Sequence, residues 1–340
     1  MRRRDVLALA IAAGAVPGRA AGAPARTGRS RPGKETLEPA PPPLERQPVA
    51  IFSKHLQWLD YGGAADAAAE AGFDALDVTV RPGGHVEPER VADDLPRMAD
   101  AAAKAGLPIT MITTALTSAD DPHAEAVLRT AGGLGIRHYR MGYVQYGEAG
   151  VRRTLDALVP RLRALAALGE AAGIAASYQN HSGAAFGAAI WDLLHVLEAT
   201  GSRWIGCQYD VRHDVVEGAY SWVRDLEVIA PCVHTLVAKD FDWAKTAEGW
   251  RLRHVPLGQG MVPFDAWVRE LRRLKVSAPL SLHAEYALTD ESASPVERRK
   301  QTTAALRRDL EALRARLGAS SATAPAPSTA IPAGGSDEAA

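Results

Sequence analysis

Short apolar runs alternate with longer segments of helical periodicity along most of the chain, and this alternation repeats eight times. The pattern is typical of a parallel sheet whose strands are joined by crossover helices. The predicted strands cover residues 50–54, 74–80, 108–114, 137–142, 173–179, 203–210, 233–239 and 279–286. The predicted helices cover residues 62–71, 88–105, 121–133, 151–172, 187–200, 218–230, 263–275 and 295–317. Eight strand–helix units predict a single α/β domain, a closed (β/α)8 TIM barrel over residues 48–318.

An open, doubly wound sheet is the alternative to a barrel. Such a sheet places a glycine-rich phosphate-binding turn after its first strand. Here the first predicted strand runs into Lys54-His55-Leu56-Gln57, which contains no glycine. Glycine instead follows several predicted helices directly before the next strand, as helix C-termini prefer. The barrel is therefore the favoured architecture.

Polar side chains collect at the carboxyl ends of the predicted strands, where barrel enzymes carry their functional groups. Alternate residues of a strand face the barrel interior, and this parity turns Asp210 and Glu285 inward with imidazoles beside them. Two inward carboxylates with histidines indicate a site for a divalent metal, Mn²⁺, Mg²⁺ or Zn²⁺. Two structural alternatives remain open. In the first, Asp210 caps a loop instead of binding a metal. In the second, Glu285 forms a structural ion pair with Lys239 or Arg140.

Further residues at the same strand ends and in the loops above them are candidates for binding a substrate. Arg81 and Arg140 carry the planar fork that binds a carboxylate or phosphate, and a salt bridge at the barrel rim is the alternative. Trp243 lies in a predicted loop above the barrel and offers a ring for a sugar to stack on, with packing as the alternative. The candidate substrate-binding residues are Lys54, His55, Asp77, Arg81, His85, Arg140 and Trp243.

Six short segments appear in order at these strand ends. They are DVTVRPGGH (Asp77 to His85), YQNHSG (Tyr178 to Gly183), QYDVRH (Gln208 to His213), VAKDF (Val237 to Phe241), VPLGQG (Val255 to Gly260) and SLHAEY (Ser281 to Tyr286). Together they resemble the xylose-isomerase-like barrels called sugar phosphate isomerase/epimerases. The resemblance extends from about Ile51 to Leu317.

The resemblance implies one divalent metal held by Glu, Asp, His and Glu from the fifth to the eighth strand. Asp210 and Glu285 match the ligands of the sixth and eighth strands, and His213 matches a histidine that contacts substrate. Gln179 and Val237 stand where the family has its fifth-strand Glu and seventh-strand His. Glutamine can offer a carbonyl oxygen to a metal but cannot accept a proton. The candidate metal ligands are Asp210, Glu285, Gln179 and His181. The candidate catalytic residues are Glu285, His213, Lys239 and His181.

The function that the resemblance implies is that of a sugar isomerase or epimerase. We expect metal-assisted proton transfer next to a carbonyl of a keto-sugar, polyol or cyclitol, so that the partner is a small-molecule carbohydrate. A dehydratase or lyase of the same family is the first alternative, and a non-catalytic sugar-binding barrel is the second. An apurinic endonuclease-like hydrolase is disfavoured because it needs more histidine and acidic ligands.

Composition and charge narrow the possible functional classes of the protein further. The 340 residues are 47% hydrophobic and 23% charged, which is ordinary globular usage. Residues 48–319 carry 30 basic and 34 acidic side chains, whereas a nucleic-acid binder normally shows a basic domain. No run of 18 apolar residues is present, so no membrane span is expected. The family resemblance allows a homo-oligomer.

The two ends of the chain have a composition unlike that of the barrel. Residues 1–25 combine adjacent arginines, a short apolar stretch and small residues, and predict a twin-arginine export signal to the periplasm. Residues 26–47 predict a Pro/Arg-rich linker, and residues 319–340 a disordered low-complexity tail. The two cysteines, Cys207 and Cys232, are expected to be unpaired thiols.

Overall fold

The computed structural model describes residues 42–319. The predicted export signal, most of the predicted linker and the predicted tail beyond residue 319 lie outside the described residues. The last part of the predicted linker is ordered, since Leu44–Arg46 forms a 3-10 helix and Leu44 is buried. Within residues 42–319, no helix has both the length and the apolar character needed to cross a membrane.

Eight parallel strands close into a barrel, which confirms the predicted fold class. Each strand pairs with its neighbours in parallel, and the first strand pairs with the last through Ala50 and Ser281. The barrel strands are β1 (Val49–Phe52), β2 (Ala75–Val80), β3 (Ile109–Thr114), β4 (His138–Arg140), β5 (Ala175–Gln179), β6 (Ile205–Asp210), β7 (Val233–Ala238) and β10 (Leu280–Leu282).

Nine α-helices lie in the described part of the chain, most of them between successive strands. Eight correspond to the predicted helices. The additional one, α6, begins directly after β6 because the Asp210 side chain caps it. The helices are α1 (Tyr61–Ala71), α2 (Val91–Lys104), α3 (Ala124–Gly133), α4 (Val151–Ala172), α5 (Ile190–Thr200), α6 (Val211–Gly218), α7 (Trp222–Ile229), α8 (Phe264–Arg273) and α9 (Pro295–Gly318).

The two faces of the strands differ in character. Outward side chains such as Ile51, Leu76 and Tyr178 join one hydrophobic core between the barrel wall and the helices. The barrel interior is polar, although barrel interiors are usually filled by branched apolar residues. The interior polar side chains are buried and include Asp77, Thr113, Ser177, Gln208, Thr235 and Ser281. Apolar packing outside the barrel therefore holds the fold and leaves the interior free for polar groups.

An antiparallel hairpin of β8 (Asp240–Thr246) and β9 (Gly249–Val255) follows β7, where only a loop was predicted. The Asp240 carboxylate anchors its base by accepting backbone N–H bonds from Phe241, Gly258, Gly260 and Val262 at 2.8–3.1 Å. A Cβ on Gly260 would lie 2.2 Å from the Phe241 carbonyl oxygen. This close approach therefore requires a glycine at the last position of the VPLGQG segment.

Helix packing yields a first testable prediction at two neighbouring glycines of α3. A Cβ on Gly132 would lie 1.9 Å from the Ala172 carbonyl oxygen, whereas a Cβ on Gly133 meets nothing within 4 Å. We expect Gly132→Ala to lower the free energy of unfolding by about 1–3 kcal/mol, because α3 and α4 must separate. Gly133→Ala is the matched control and should leave stability unchanged or raise it by up to about 1 kcal/mol. Urea denaturation measures both, and equal effects would contradict the packing argument.

Candidate functional site

The carboxyl ends of the barrel strands and the loops that follow them form one polar surface, which we call the mouth. The structure brings most of the predicted site residues together there. Lys239 and Asp210 are in direct contact, and so are Lys54 and Glu285. The mouth contains Lys54, His55, Arg81, Arg140, Gln179, His181, Asp210, His213, Lys239 and Glu285.

Asp210 is the most heavily bonded carboxylate of the mouth, and it is fully buried. Its Oδ1 accepts the backbone N–H groups of Arg212 and His213 at 3.1 and 3.3 Å, so that it caps α6. Its Oδ2 accepts the Gln179 amide at 2.6 Å and lies 2.9 Å from Lys239 Nζ. Asp210 therefore caps a helix rather than the loop considered from the sequence, and the same carboxylate also links β5, β6 and the residue after β7.

Lys239 and His213 form a nitrogen–nitrogen contact of 2.8 Å between Nζ and Nε2. A hydrogen bond at this distance needs a lone pair on one nitrogen and a proton on the other. The opposite imidazole nitrogen, Nδ1, lies 3.1 Å from the Ser182 backbone N–H, which can only donate to it. Burial lowers the pKa of Lys239, and burial and the nearby Lys239 charge hold the pKa of His213 well below its usual value. Because Nδ1 accepts, a neutral imidazole carries its proton on Nε2, and that N–H donates to the lone pair of a neutral Lys239 amine.

Gln179 connects this pair to the other side of the barrel. Its Oε1 accepts a bond from Arg140 Nη1 at 2.9 Å and one from the Tyr143 hydroxyl at 2.6 Å. These two donors fix the amide orientation, since its Nε2 then donates to Asp210. A glutamate here would place a second carboxylate against Asp210.

Glu285 forms an ion pair with Lys54, whose Nζ lies 3.0 Å from its Oε2. This partner differs from the Lys239 and Arg140 considered from the sequence. Burial raises the pKa of Glu285, but the positive charges of Lys239 and Lys54 outweigh burial and hold the pKa at about 2. Glu285 is therefore ionised at neutral pH and is a weak base.

Asp77 lies below the mouth inside the barrel and is fully buried. Its two oxygens accept hydroxyl hydrogen bonds from Thr113 at 2.9 Å and Ser281 at 2.7 Å. Burial raises the pKa of Asp77 to about 6, although these two bonds oppose the shift. Asp77 supports the layer beneath the mouth, and its contact with a substrate stays a prediction.

The remaining predicted residues lie around the mouth. The His181 ring packs 3.8 Å from that of His213. His55 accepts the Ala284 N–H at 3.0 Å, and burial lowers its pKa to about 4. His85 lies in the loop after β2, and its Nδ1 is 3.1 Å from the Ser53 hydroxyl, which follows β1. Trp243 is 41% exposed on the β8–β9 hairpin, which leaves its ring free for stacking.

The residues implied for a divalent metal do not fit one as they are arranged. Within residues 42–319, no group of three or more His, Cys, Asp and Glu side chains is placed to hold a metal ion. The Asp210 oxygens are taken by four donors, among them the Lys239 amine and the Gln179 amide. Val237 lies beside Asp210 in the strand register and offers no donor atom. We therefore derive no catalytic step through a metal.

Sequence reasoning missed several residues that the structure adds to the site. Tyr143 follows β4 by three residues and bonds both Arg140 and Gln179. Ser182 bonds the His213 imidazole with its hydroxyl at 2.8 Å. Phe52 has no polar atom, and nothing in its sequence context marks it as a site residue. Tyr143 and Ser182 lie in loops after strands, the one signal that pointed to them.

The comparisons with known proteins agree with this architecture. The family described as xylose isomerase-like TIM barrel matches residues 65–316. A D-psicose 3-epimerase from Clostridium cellulolyticum H10, solved with D-tagatose, has a TM-score of 0.59 at 13% identity and covers 78% of this chain and 99% of its own.

Two further solved structures have the same fold. A xylose isomerase-like barrel from Mycobacterium smegmatis, in complex with magnesium, has a TM-score of 0.60 at 14% identity and covers 81% of this chain and 99% of its own. A probable 3-DHS dehydratase from Bacillus anthracis has a TM-score of 0.58 at 16% identity and covers 76% and 97%. No curated protein matches the sequence significantly.

The donor arrangement predicts how the site responds to metals. We expect wild-type protein, incubated with Mn²⁺ and desalted, to contain far less than one ion per chain by mass spectrometry. Gln179→Glu should lower the free energy of unfolding by on the order of 3 kcal/mol, because it buries a second carboxylate against Asp210. Mn²⁺ should raise the melting temperature of this variant and leave the wild type unchanged. One ion per wild-type chain, lost in Asp210→Asn, would contradict this reading.

The raised pKa of Asp77 predicts a pH dependence of stability. The folded protein holds the Asp77 proton up to about pH 6, whereas the unfolded chain releases it near pH 3.8. Between these values only the folded state binds the proton, so the wild type loses on the order of 3 kcal/mol relative to Asp77→Asn as the pH rises from about 4 to about 7. Urea denaturation of both proteins across this range measures the difference, and a constant difference would sink the prediction.

Proposed function

The chain belongs to the family of xylose isomerase-like TIM barrels, and from this membership we propose that it is a carbohydrate isomerase or epimerase. Its reaction moves a proton on a carbon next to a carbonyl of a keto-sugar, polyol or cyclitol. The observation that carries the proposal is the 2.8 Å contact between Lys239 and His213, because it supplies a proton-exchanging pair at the mouth. The epimerase among the solved structures of the same fold supports the class of reaction.

The proposed step starts with the lone pair of neutral Lys239, which His213 holds in place. That lone pair takes the proton from the carbon beside the carbonyl, and the electrons of the broken C–H bond move onto the carbonyl oxygen. Delivery of the proton to the former carbonyl carbon, while the neighbouring hydroxyl proton passes to the enediolate oxygen, isomerises the sugar. Delivery of a proton to the opposite face of the original carbon epimerises it. Epimerisation needs a separate proton donor on the opposite face of the sugar carbon. The Lys239–His213 pair lies on one face only, and this favours isomerisation.

Positive groups of this chain stabilise the enediolate that forms. The oxygen gains negative charge during the step, and fixed charges aimed at such an oxygen act strongly in a water-poor site. Arg140 is such a charge, and Lys239 becomes one once it has taken the proton; both are at least nine-tenths buried in the mouth. Asp210 keeps Lys239 in place through its 2.9 Å contact.

A dehydratase is the second candidate function. One of the solved structures of the same fold is a probable 3-DHS dehydratase. Loss of a hydroxyl group from the same enediolate follows the same first proton removal, so the Lys239–His213 pair serves both reactions. The products separate them, since only the dehydratase releases water. Export to the periplasm, predicted from residues 1–25, stays a proposal beside either function.

The function is tested by hydrogen exchange in D2O. We expect incubation of the protein with a panel of keto-sugars and cyclitols to give deuterium incorporation and an isomer or epimer, detected by NMR. Lys239→Met and His213→Gln should each lower the rate by about 10²–10⁴-fold, because each removes one half of the proton-exchanging pair. Lys104→Met, at the exposed end of α2, is the matched control and should leave the rate unchanged.

The outcomes separate the alternatives. A dehydrated product with deuterium exchange and no isomer would replace the proposal by the dehydratase. Ligand binding without any exchange would indicate a sugar-binding barrel and overturn the enzymatic proposal. Circular dichroism of both variants distinguishes a lost pair from a lost fold, since a folded variant retains the wild-type spectrum.

A further inference from the structure

We propose that Arg81 and Arg140 form a subsite for an oxyanion on the substrate, so that the carbohydrate handled at the mouth carries a carboxylate or a phosphoryl group. This inference rests on the proposed function, because it names the substrate class of the same site. It is carried by two guanidinium groups that both approach the Phe52 ring and that form no ion pair within residues 42–319.

The two arginines converge on one aromatic ring inside the barrel. The centroid of the Phe52 ring lies 5.6 Å from the Arg81 guanidinium carbon and 5.9 Å from that of Arg140. The ring is itself fixed by stacking on His283, with centroids 4.3 Å apart. Arg81 and Arg140 come from the ends of β2 and β4, so the strand order places them on one side of the mouth.

Neither guanidinium forms a direct ion pair within residues 42–319, although Asp77 and Glu285 lie near enough for their charges to act on Arg81. The ion pairs of the mouth join Lys239 to Asp210 and Lys54 to Glu285, and neither involves an arginine. Arg140 is only 6% exposed, its Nε has no hydrogen-bond partner, and its Nη1 bonds neutral groups. Buried charges are normally paired, because an unpaired one loses its hydration without compensation. A substrate anion supplies the missing partner.

The charged side chains of the mouth as a whole also favour an anionic ligand. The two carboxylates of the mouth are already engaged by lysines. Asp77, below the mouth, accepts hydroxyl hydrogen bonds on both oxygens. The mouth holds four basic side chains and two carboxylates. The basic side chains are Lys54, Arg81, Arg140 and Lys239, and the carboxylates are Asp210 and Glu285.

The turn after β2 holds the Arg81 backbone in a fixed position. Arg81 donates its N–H to the Val86 carbonyl at 3.1 Å and accepts the Gly84 N–H at 2.8 Å. Gly83 adopts φ +65°, which only glycine takes without strain, and its N–H donates to Glu87 at 2.8 Å. An arginine on such a turn loses little freedom when it binds an anion.

A chain of hydrogen bonds joins the arginine subsite to the proton-exchanging pair. Arg140 bonds Gln179 at 2.9 Å, Gln179 bonds Asp210 at 2.6 Å, and Asp210 lies 2.9 Å from Lys239. These contacts cross β4, β5, β6 and β7, four adjacent strands. An oxyanion held by the arginines therefore sets the distance of the reacting carbon from Lys239.

Binding measurements on matched ligands test the proposal. We use calorimetry with D-glucuronate, D-galacturonate and D-glucose 6-phosphate, each beside its neutral counterpart D-glucose or D-galactose. At least one acid should bind wild-type protein about tenfold or more tightly than its neutral partner, as a charge-assisted bidentate bond supplies. Arg81→Gln should lower that preference by about tenfold. Arg269→Gln, on α8 away from the mouth, is the matched control and should leave it unchanged.

Two further variants keep the result interpretable. Arg81→Lys keeps the charge and loses the fork, so an intermediate preference is expected. Arg140→Gln tests the second arginine, and its melting temperature shows whether it remains folded. Arg81→Gln removes a half-buried charge without a protein partner, so it should keep the wild-type stability.

The outcomes are distinct for the subsite and for the proposed function. Equal binding of every acid and its neutral counterpart, or a preference that survives both glutamine variants, would overturn the subsite. Tight binding of acids without hydrogen exchange in D2O would overturn only the proposed function. A preference for glucuronate over glucose 6-phosphate assigns the oxyanion as a carboxylate, and the reverse assigns it as a phosphoryl group.

Discussion

The site depends on one buried carboxylate that is compensated entirely by protein groups. Asp210 has no exposed surface, and its four donors come from the start of α6, from β5 and from the end of β7. Such a group is stable only while every donor remains in place, because the low dielectric that strengthens each bond also makes an unpaired charge costly. Asp210 therefore holds the reactive lysine and the capped helix as one unit.

The two departures from the family pattern make physical sense together. A glutamate at position 179 would need a cation between it and Asp210, whereas Gln179 donates to Asp210 and accepts from Arg140 at the same time. Val237 stands where the family resemblance implies a histidine ligand, and it places a buried apolar side chain beside Asp210. The Lys239 amine then takes over as the partner of the carboxylate. The replacements at positions 179 and 237, each of which removes a possible metal ligand, thus belong to one rearranged polar network.

Much of the fold could be predicted from the sequence, because it depends on local patterns. Apolar runs and helical periodicity marked all eight barrel strands, and strand parity placed Asp210 on the inner face beside Gln179 and Lys239. The β8–β9 hairpin was not predicted, because charged and apolar residues do not alternate regularly enough along its two strands to indicate a half-buried strand. The short α6 was missed because the carboxylate that caps it comes from a strand.

The contacts of the site were harder to predict, since they join strands far apart in the sequence. Lys54 and Glu285 are neighbours only because the barrel closes between β1 and β10. Phe52 gives no chemical signal in the sequence, yet both mouth arginines lie against it. Residue types at strand ends therefore indicated where the site lies, whereas closure of the barrel decides which charges meet.

The anchoring of the β8–β9 hairpin has a consequence for how such a protein diversifies. Asp240 fixes the base of the hairpin through four backbone bonds, while Trp250 near the turn is 63% exposed. The tip can therefore gain, lose or exchange residues while the barrel and the charged network below it keep their geometry. Burial, together with the charge of Arg212, lowers the pKa of His254 on β9, so the hairpin lies close to the charged groups at the strand ends. Substitutions at the tip of the β8–β9 hairpin can in this way change ligand specificity during evolution while the reacting groups stay the same.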